Sequence, residues 1–412
     1  MGTPHKSSLY SFNMCLLIYL SMGIHETNVK KTVSRDSLKG ERTQTIQAGR
    51  SCDLSVIVVT RNEEENVHDC LESILEALEK AAENDLISSW EIIVSDSASK
   101  DRTIEIASRF PVGIVRLSDD WRLSAGAGRV AGYSVSSGES VLFLDGDCIL
   151  HEDWLLASLK ALSLDDVAGV DGNLAHVVSD GNFFFPILKE ISKSHFVSSL
   201  TEVETLGQAV FKRVALEKVG GHNPFLKGGE DRDLAYRLRR EGYRLLRVPK
   251  VNVDHYWAGK KGDLRYYDLL RSSFFWSFGD GQATRWSFSD ASIRGQQRSR
   301  YLRSGELKGI LPTLVLLLLL AVNLLLAFDR NALVWLSVLL LDIISLAAIV
   351  LVGWGKRWGI RRTIYEAFQT TPYLVIRLPS FVLGFLIGSK DPKSYPPLGS
   401  ENIISPPPIL VA

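Results

Sequence analysis

The chain has 412 residues, of which 47 are basic and 47 are acidic, so its formal net charge at pH 7 is zero. This balance argues against a protein that binds nucleic acid through its overall charge, and no nucleic-acid partner is expected. The length allows about two or three domains, and four cysteines without metal-ligand spacing argue against a disulfide framework and fit a reducing cytosol.

Residues 1–50 are predicted to form an extension or linker ahead of the first domain. An apolar run at residues 9–24 follows His5 and Lys6 and resembles a signal peptide or a short anchor. Residues 26–50 are polar. We interpret the whole segment as an extension, with the signal and the anchor as open alternatives.

Strand and helix signals alternate from residue 53 onward. A buried-strand run at 54–60 precedes a helical segment with Asn62 as its predicted N-cap. The apolar face of that helix consists of Val67, Cys70, Leu71, Ile74, Leu75 and Leu78. Further strands are predicted at 91–95, 113–117 and 140–145, and helices at 101–109 and 124–136. The succession predicts an α/β domain over residues 51–260, with a mostly parallel sheet and helices on both faces.

Four acidic residues follow or interrupt these elements at positions where chemistry is expected. Asp96 ends the run EIIVSD, Asp145 and Asp147 end VLFLDGD, and Asp231 lies in GGEDRDLAYRL, a turn that opens a helix. Acids at the carboxyl ends of parallel strands meet in the crevice where open α/β sheets bind ligands. The Asp-x-Asp pair suits Mg²⁺ or Mn²⁺ bridging phosphates, and a separate acid can serve as general base. Together they suggest group transfer from a nucleotide-diphosphate sugar.

Four motifs, in this order, resemble the family 2 glycosyltransferases of the GT-A fold, a Rossmann-like α/β fold. They are VIVVTRNEEENV, SDSASKDRT, SAGAGRVAGYSVSSGESVLFLDGDC and GQAVFKRVALEKVGGHNPFLKGGEDRDLAYRLRREGYRL. The resemblance covers residues 53–256. The sequence departs from the family at Val130, where an asparagine usually follows the arginine.

The resemblance implies which residues bind the donor, a nucleotide-diphosphate sugar. The implied set is Thr60, Asn62, Glu63, Asp96, Ser97, Arg129 and Asp145. The first three would line the nucleobase and ribose, and Asp96 would bond the base or the ribose. A turn-forming cap is the alternative for Asp96. Arg129 would approach the diphosphate, because a guanidinium matches phosphate geometry.

The resemblance also implies a metal site and a base. Asp147 would bind Mn²⁺ or Mg²⁺ directly, with Asp145 contacting the ribose or a metal-bound water. His255 is a further candidate metal or phosphate contact, and a structural histidine is the alternative. Asp231, beside Glu230, would be the base of an inverting transfer. Both acids could instead stabilise a helix N-terminus, an effect of about 0.3–1 kcal/mol.

Two apolar runs, at 310–328 and 332–352, are each long enough to cross a bilayer, which needs ~20 apolar residues. They predict a transmembrane helical hairpin over 309–354, and a buried helical pair is the alternative. Basic residues on both sides place both flanks in the cytoplasm. We therefore expect a multi-pass membrane protein with a cytoplasmic catalytic domain.

The segments on either side of the hairpin are expected to contact the membrane surface. Residues 261–308 mix aromatic residues with arginines and predict juxtamembrane interfacial helices, with packing on the catalytic domain as the alternative. Residues 355–412 are expected to be cytoplasmic or interfacial. Within them, 373–387 is a third span, a re-entrant piece or an interfacial helix, and we favour the last two.

The favoured function is a membrane-anchored, inverting glycosyltransferase that adds one sugar to a lipid-linked or polyprenyl phosphate acceptor. A processive polysaccharide synthase is one alternative, because Gln282, Arg285 and Trp286 form the pattern QxxRW. We interpret that pattern as a coincidence, since too few spans follow to build a polymer channel. A non-catalytic nucleotide-sugar-binding membrane protein is the second alternative. A nucleotidyltransferase is the third, but the loop TRNEEEN is acidic where that class needs glycine and lysine.

Overall fold

The computed structural model describes residues 52–177, 196–256, 266–289, 376 and 379–412. The chain divides into two compact units, Met1–Ala48 and Gly49–Ala412, and the first of them lies outside the described residues. The transmembrane hairpin predicted at 309–354 also lies outside them. Within the described ranges, no helix combines the length and the apolar character that a bilayer crossing requires.

The described elements of the second unit alternate between strand and helix up to residue 145, where one strand is followed directly by another. The strands are β1 (Leu54–Thr60), β2 (Ser89–Asp96), β3 (Gly113–Arg116), β4 (Ser140–Asp145), β5 (Cys148–Leu150), β6 (Val167–His176), β7 (Thr201–Glu202), β8 (Ala209–Lys212), β9 (Arg244–His255), β10 (Ile403–Ser405) and β11 (Leu410–Val411). The helices are α1 (Val67–Glu83), α2 (Thr103–Ala107), α3 (Ala125–Val135), α4 (Glu152–Leu162), α5 (Arg213–Val219), α6 (Glu230–Arg240) and α7 (Tyr266–Ser289).

These strands form one mixed sheet in the order β10-β3-β2-β1-β4-β8-β6-β9-β5, with β11 beside β2 and β7 beside β9. Strands β3, β2, β1 and β4 are parallel, as are β6 and β9. The other pairs are antiparallel. The prediction of a mostly parallel sheet is therefore wrong beyond β4. Four of the added strands have only two or three residues, and antiparallel pairing needs no helical crossover.

Helices cover both faces of the sheet, as predicted. One buried cluster joins α1 and α4 to the face that holds Val56 and Val58, and another joins α3, α5 and α6 to the face that holds Ile57. The predicted apolar face of α1 is buried, except for the partly buried Leu75.

The prediction that Asn62 caps α1 is wrong. The helix begins at Val67 with Asn66 as its N-cap. Asn62 lies in the preceding loop with φ at 59°, a left-handed conformation that asparagine tolerates. Its side-chain oxygen accepts a hydrogen bond from the amide of Lys100 at 2.9 Å, so it joins two loops of the crevice instead.

The described C-terminal segment returns to the catalytic sheet. Strand β10 pairs antiparallel with β3, and β11 pairs antiparallel with β2. Before them, the ring of Tyr395 packs edge-on against Trp121 and Phe225, and its hydroxyl donates to the carbonyl of Arg122 at 2.9 Å. This segment covers backbone groups of β3 that an edge strand would otherwise expose.

Candidate functional site

The parallel register brings the ends of three strands together. Thr60 at the end of β1 pairs with Asp96 at the end of β2, and Val59 pairs with Asp145 at the end of β4. Side chains at these ends therefore face one crevice along the carboxyl edge of the sheet. The predicted site residues follow from this edge outward.

Asp96 is buried at the floor of this crevice. Its carboxylate accepts hydrogen bonds from the amide of Ser99 at 2.8 Å and from the hydroxyl of Thr60 at 3.3 Å. Arg116 lies 3.8 Å away. This is the turn-forming arrangement that the sequence left open. Contact between Asp96, or the neighbouring buried Ser97, and a nucleobase stays a prediction.

A cavity of about 330 Å³ lies beside the loop that follows β1. Its lining consists of Asn62, Glu63, Glu64, Glu65, Asn66, Asp101, Asp147 and Tyr256. Burial raises the pKa of Glu63 to about 7, and the charges of Asp147 and Asp145 add to the effect. Asn66 donates to its carboxylate at 2.8 Å. The cavity thus joins the loop expected to bind the nucleotide to the predicted metal ligand Asp147.

Asp147 and His255 form the part of the site that can hold a cation. Strands β5 and β9 pair Cys148 with His255, which places the imidazole Nε2 3.2 Å from an oxygen of Asp147. Ligand atoms of Asp147, Cys148 and His255 lie within 4.8 Å of one another. Burial, and then the charge of Asp147, raise the pKa of the Cys148 thiol well above its ordinary value in the absence of a cation. Because Mn²⁺ and Mg²⁺ prefer oxygen and nitrogen donors to sulfur, the donors that suit them here are a carboxylate and an imidazole.

His176 supports His255 from the neighbouring strand. The parallel pairing of β6 and β9 sets the two histidines side by side, with their Nδ1 atoms 3.1 Å apart. The sequence analysis missed His176. It ends the run GNLAH, which carries no motif, so a single sequence holds no signal for it.

Asp145 does not join that group of possible ligand atoms. One of its oxygens lies 3.2 Å from Nη2 of Arg129, and the other accepts a hydrogen bond from the side-chain amide Nε2 of Gln208 at 2.6 Å. Its backbone amide donates back to Gln208 at 3.0 Å. Gln208, which the sequence analysis also missed, therefore fixes Asp145 by two bonds across the antiparallel pair β4 and β8.

Arg129 occupies the centre of the acidic cluster rather than its surface. Its side chain is 3% exposed, and its guanidinium contacts Glu230 at 2.5 Å, Asp231 at 3.2 Å and Asp145 at 3.2 Å. Burial opposes its charge, but the three acids hold its pKa above the ordinary value. Its observed contacts are with carboxylates, and its contact with a diphosphate stays a prediction.

Asp231 is the accessible acid of this cluster. Helix α6 begins at Glu230, whose side chain is 9% exposed, whereas that of Asp231 is 32% exposed. Burial raises the pKa of Asp231 to about 6, with Arg129 acting against the rise and Asp145 adding to it. The imidazole Nε2 of His222 lies 3.4 Å from Asp231, and burial lowers the pKa of His222 to about 3. A neutral imidazole and a cation thus hold one partly exposed carboxylate.

The structure therefore brings the predicted residues into two adjacent groups. Arg129, Asp145, Glu230 and Asp231 form one, and Glu63, Asp147 and His255 form the other. Thr60 and Asp96 lie on the strand ends beside them. Gln282 of the QxxRW pattern is buried, and its side-chain oxygen lies 3.4 Å from the amide nitrogen of Lys227, ahead of α6.

Two family models match the chain. One is described as glycosyl transferase family 2 and matches residues 55–220. The other is described as glycosyl transferase family group 2 and matches residues 140–352, more than half of the chain.

Curated relatives carry related names. The chain is 28% identical over 247 residues to the glycosyltransferase AglE of Haloferax volcanii, covering 58% of this chain and 76% of that protein. It is 27% identical to a putative polypeptide N-acetylgalactosaminyltransferase 13 of Drosophila melanogaster, over 61% of this chain and 50% of that one. It is 35% identical over 98 residues to the dolichyl-phosphate beta-glucosyltransferase ALG5A of Trichomonas vaginalis, over 23% of this chain and 30% of that one.

Solved structures of S. aureus TarS are also similar to the chain. The form 1-349 matches with a TM-score of 0.41 and 15% identity, over 81% of each chain. Its complex with UDP-GlcNAc matches with a TM-score of 0.42 and 15% identity, over 79% of this chain and 90% of that one.

Proposed function

The chain belongs to the family 2 glycosyltransferases, and from this membership and the geometry of the crevice we propose that it transfers one sugar, with inversion, from a nucleotide-diphosphate donor to a polyprenyl phosphate or another lipid-linked acceptor. One observation carries the proposal. A partly exposed carboxylate, Asp231, is held by Arg129 and His222 at the carboxyl edge of the sheet, beside a cavity lined by Glu63 and Asp147.

Asp231 acts as the general base. An acceptor oxygen attacks the anomeric carbon while the bond from that carbon to the diphosphate breaks. Asp231 takes the proton of an attacking hydroxyl, or that of a phosphate acceptor in its monoanionic form, whose second pKa lies at about 6. A base is most effective when its pKa lies near the working pH, and burial has brought that of Asp231 to about 6. The charge of Arg129 keeps the carboxylate ionised above that pH.

The residues present fit a divalent cation. Asp147 and His255 offer a carboxylate oxygen and an imidazole nitrogen 3.2 Å apart, a donor set that suits Mn²⁺ and, less closely, Mg²⁺. When bound, the cation would offset the negative charge that gathers on the leaving diphosphate. Asp145 lies two positions before Asp147 in the chain. Its contacts with Arg129 and Gln208 favour a role toward the ribose.

The donor would occupy the cavity beside the loop after β1. Asn62 and Glu63 line it, and Thr60 and Asp96 lie at the paired strand ends from which that loop departs. The relatives named as dolichyl-phosphate glucosyltransferases support a polyprenyl phosphate as the acceptor.

We further propose that the chain is anchored in a membrane by the hairpin predicted at 309–354, with the catalytic domain in the cytoplasm. The described part of the chain offers exposed apolar side chains close to that segment in sequence. Trp276 on α7 is 44% exposed, and Leu386 and Val382 are 64% and 45% exposed. Such side chains suit contact with a lipid surface or with membrane helices.

The substitution Asp231→Asn tests the proposed function. It should lower the transfer rate by about 10²–10⁴, the usual contribution of a general base, and leave donor binding nearly unchanged. Rates would be followed by release of the nucleoside diphosphate, and binding by calorimetry with Mn²⁺ present.

Glu152→Gln is the matched control, because it also removes a carboxylate from the first turn of a helix, α4. Transfer should survive in this variant. If Asp231→Asn kept the full rate, or if it lost donor binding and fold together, Asp231 would not be the base.

A further inference from the structure

Three cations from three different loops lie near one another: the charges of two of them, Arg122 and Arg61, lower the pKa of the third, Lys227. Arg61 follows β1, Arg122 lies between β3 and α3, and Lys227 precedes α6. Nζ of Lys227 donates to the carbonyl of Leu123 at 2.6 Å, next to Arg122. The side-chain oxygen of Gln282 lies 3.5 Å from Nη2 of Arg122 and 3.4 Å from the amide nitrogen of Lys227, so the two loops share one partner.

Within the described part of the chain, no carboxylate forms an ion pair with Lys227 or Arg122. Burial, and then the charges of Arg122 and Arg61, together lower the pKa of Lys227 to about 8. Across the described ranges, no carboxylate raises it. Burial also lowers the pKa of Arg122. Its Nε is buried and, among the described residues, lacks a hydrogen-bond partner. The contrast with Arg129 is direct, because that guanidinium contacts three acids.

Like charges gathered partly out of water are costly unless an anion lies against them, and here Arg122 and Lys227 are half-buried while Arg61 is exposed. Guanidinium groups bind phosphate oxygens in pairs, and a lysine adds a point charge. Lys227 lies in the loop that opens α6, and a side chain at Gly228 would come within 3.0 Å of the backbone of α7. Its ammonium donates to the carbonyl of Leu123, and no carboxylate of the described segments raises its pKa. An anion held by Lys227 would therefore lie between this loop and the loop of Arg122.

We propose that Arg61, Arg122 and Lys227 form a phosphate-binding site at the mouth of the crevice, which holds a phosphate group of a substrate. This inference deepens the proposed function and rests on it for the source of the phosphate. Two sources share this chemistry: the diphosphate of the donor and the phosphate of the lipid acceptor. Contact of the site with α7, through Gln282, favours the lipid acceptor, because α7 leads toward the predicted membrane hairpin.

The test measures binding rather than turnover. The full chain in detergent is titrated with a short polyprenyl phosphate and, separately, with a nucleoside diphosphate plus Mn²⁺. Lys227→Met and Arg122→Gln should each lower the affinity for one of these two ligands by about tenfold, as expected for the loss of one charged hydrogen bond. Lys227→Arg, which keeps the charge, should recover most of the affinity.

Lys212→Met is the matched control. Nζ of Lys212 also donates to a backbone carbonyl at 2.6 Å, that of Leu164. Lys212 pairs with Ser140, at the opposite end of β4 from Asp145. This variant loses a similar hydrogen bond but should bind both ligands as the unsubstituted chain does.

Each outcome decides the matter. Weaker binding of the polyprenyl phosphate alone assigns the site to the acceptor, and weaker binding of the nucleoside diphosphate assigns it to the donor. Unchanged affinities for both ligands in both variants would overturn the phosphate site and leave the proposed function standing. If the unsubstituted chain bound neither ligand, both proposals would fail.

Discussion

At the scale of the residue, the pKa of Asp231 sets the pH range of the proposed reaction. A base must be deprotonated to accept a proton, and burial raises the pKa of this carboxyl from its ordinary 3.8 to about 6. We therefore expect kcat/KM to fall about tenfold for each pH unit below 6 and to level off above it. A pH–rate profile of the full chain with saturating Mn²⁺ measures this limb.

Because the pKa of Asp231 is raised, the expected acid limb differs from that of an ordinary aspartate. An ordinary aspartate would stay ionised down to pH 4, so the acid limb would lie about two units lower. A limb centred near pH 4 would contradict the assignment of Asp231 in its buried setting. The buried His222 cannot supply the limb, because its pKa is lowered to about 3 and it remains neutral across this range. Glu63 could supply one, because its pKa is raised to about 7, so the profile is repeated with Glu63→Gln, in which the limb near pH 6 should remain.

The metal ligands give a second prediction at this scale. Mn²⁺ together with a nucleoside diphosphate should raise the melting temperature, because a ligand that binds the folded state alone stabilises it by about 2.7 kcal/mol at 100 times its dissociation constant. Asp147→Ala should abolish most of the Mn²⁺-dependent part of that shift. Differential scanning calorimetry with and without EDTA measures it.

Cys148→Ser provides the control for this prediction. Cys148 lies beside Asp147 and its thiol donates a hydrogen bond to that carboxylate, but sulfur is a poor ligand for Mn²⁺ compared with oxygen and nitrogen. The Mn²⁺ response should therefore persist in this variant. A response that survived Asp147→Ala would show that the cation binds elsewhere, and one that disappeared in Cys148→Ser would show that the thiol is a ligand.

The residues of the site differ in how far the sequence could predict them. Asp147, Asp231 and His255 lie in recognisable motifs or directly after a strand-like run, and the structure places them along one crevice. Gln208 and His176 reach the site through the pairings of β8 and β6, which join residues far apart in the chain. No local pattern encodes such pairings. Arg129 was identified, but its burial among three acids depends on α6 and could not be foreseen.

At the scale of the element, the spacing of apolar residues along the chain predicted which helix face and which strand are buried. The buried face of α1 and the strand β1 agree with their patterns, because a period of 3.6 or a continuous apolar run marks burial directly. The start of α1 was misplaced by several residues, since the acidic loop 61–66 also looks like a first helical turn. Strand β10, with three residues, and strand β11, with two, are too short to carry a pattern of that kind.

The returning tail yields the prediction for this scale. Removing residues 403–412 would strip β10 from β3 and β11 from β2, and the bond from Asn402 to the carbonyl of Arg116 would remain at the new end. We expect the amides of β3 and β2 to exchange hydrogen faster, with a lower melting temperature. Exchange in β4, on the far side of β1, should change little.

A point substitution separates the loss of strand pairing from the loss of side chains. Ile404 is 50% exposed on β10, so Ile404→Ser should leave the backbone pairing and the exchange of β3 nearly unchanged. If the truncated chain exchanged at the same rate as the full chain, the tail would contribute nothing to the stability of the sheet edge. Hydrogen exchange followed by mass spectrometry resolves these segments.

At the scale of the whole molecule, the proposed chemistry depends on which side of a membrane the crevice faces. The proposed anchoring puts the crevice on the cytoplasmic side, where the positive-inside rule leads us to expect both flanks of 309–354, because both are basic. The turn at Asp329, Arg330 and Asn331 must then lie on the opposite side. Single cysteines report this arrangement, because three native cysteines, Cys52, Cys70 and Cys148, are buried.

In a background with Cys15→Ser, an impermeant thiol reagent should label Asn331→Cys in intact cells. The same reagent should label Lys356→Cys only after the cells are opened, because that position follows the second span. The opposite pattern would place Asp147 and Asp231 away from the nucleotide pool and contradict the proposed anchoring. Equal labelling of both positions in intact cells would mean that 309–354 does not cross the bilayer, and the lipid acceptor would then have to reach the crevice without an anchored enzyme.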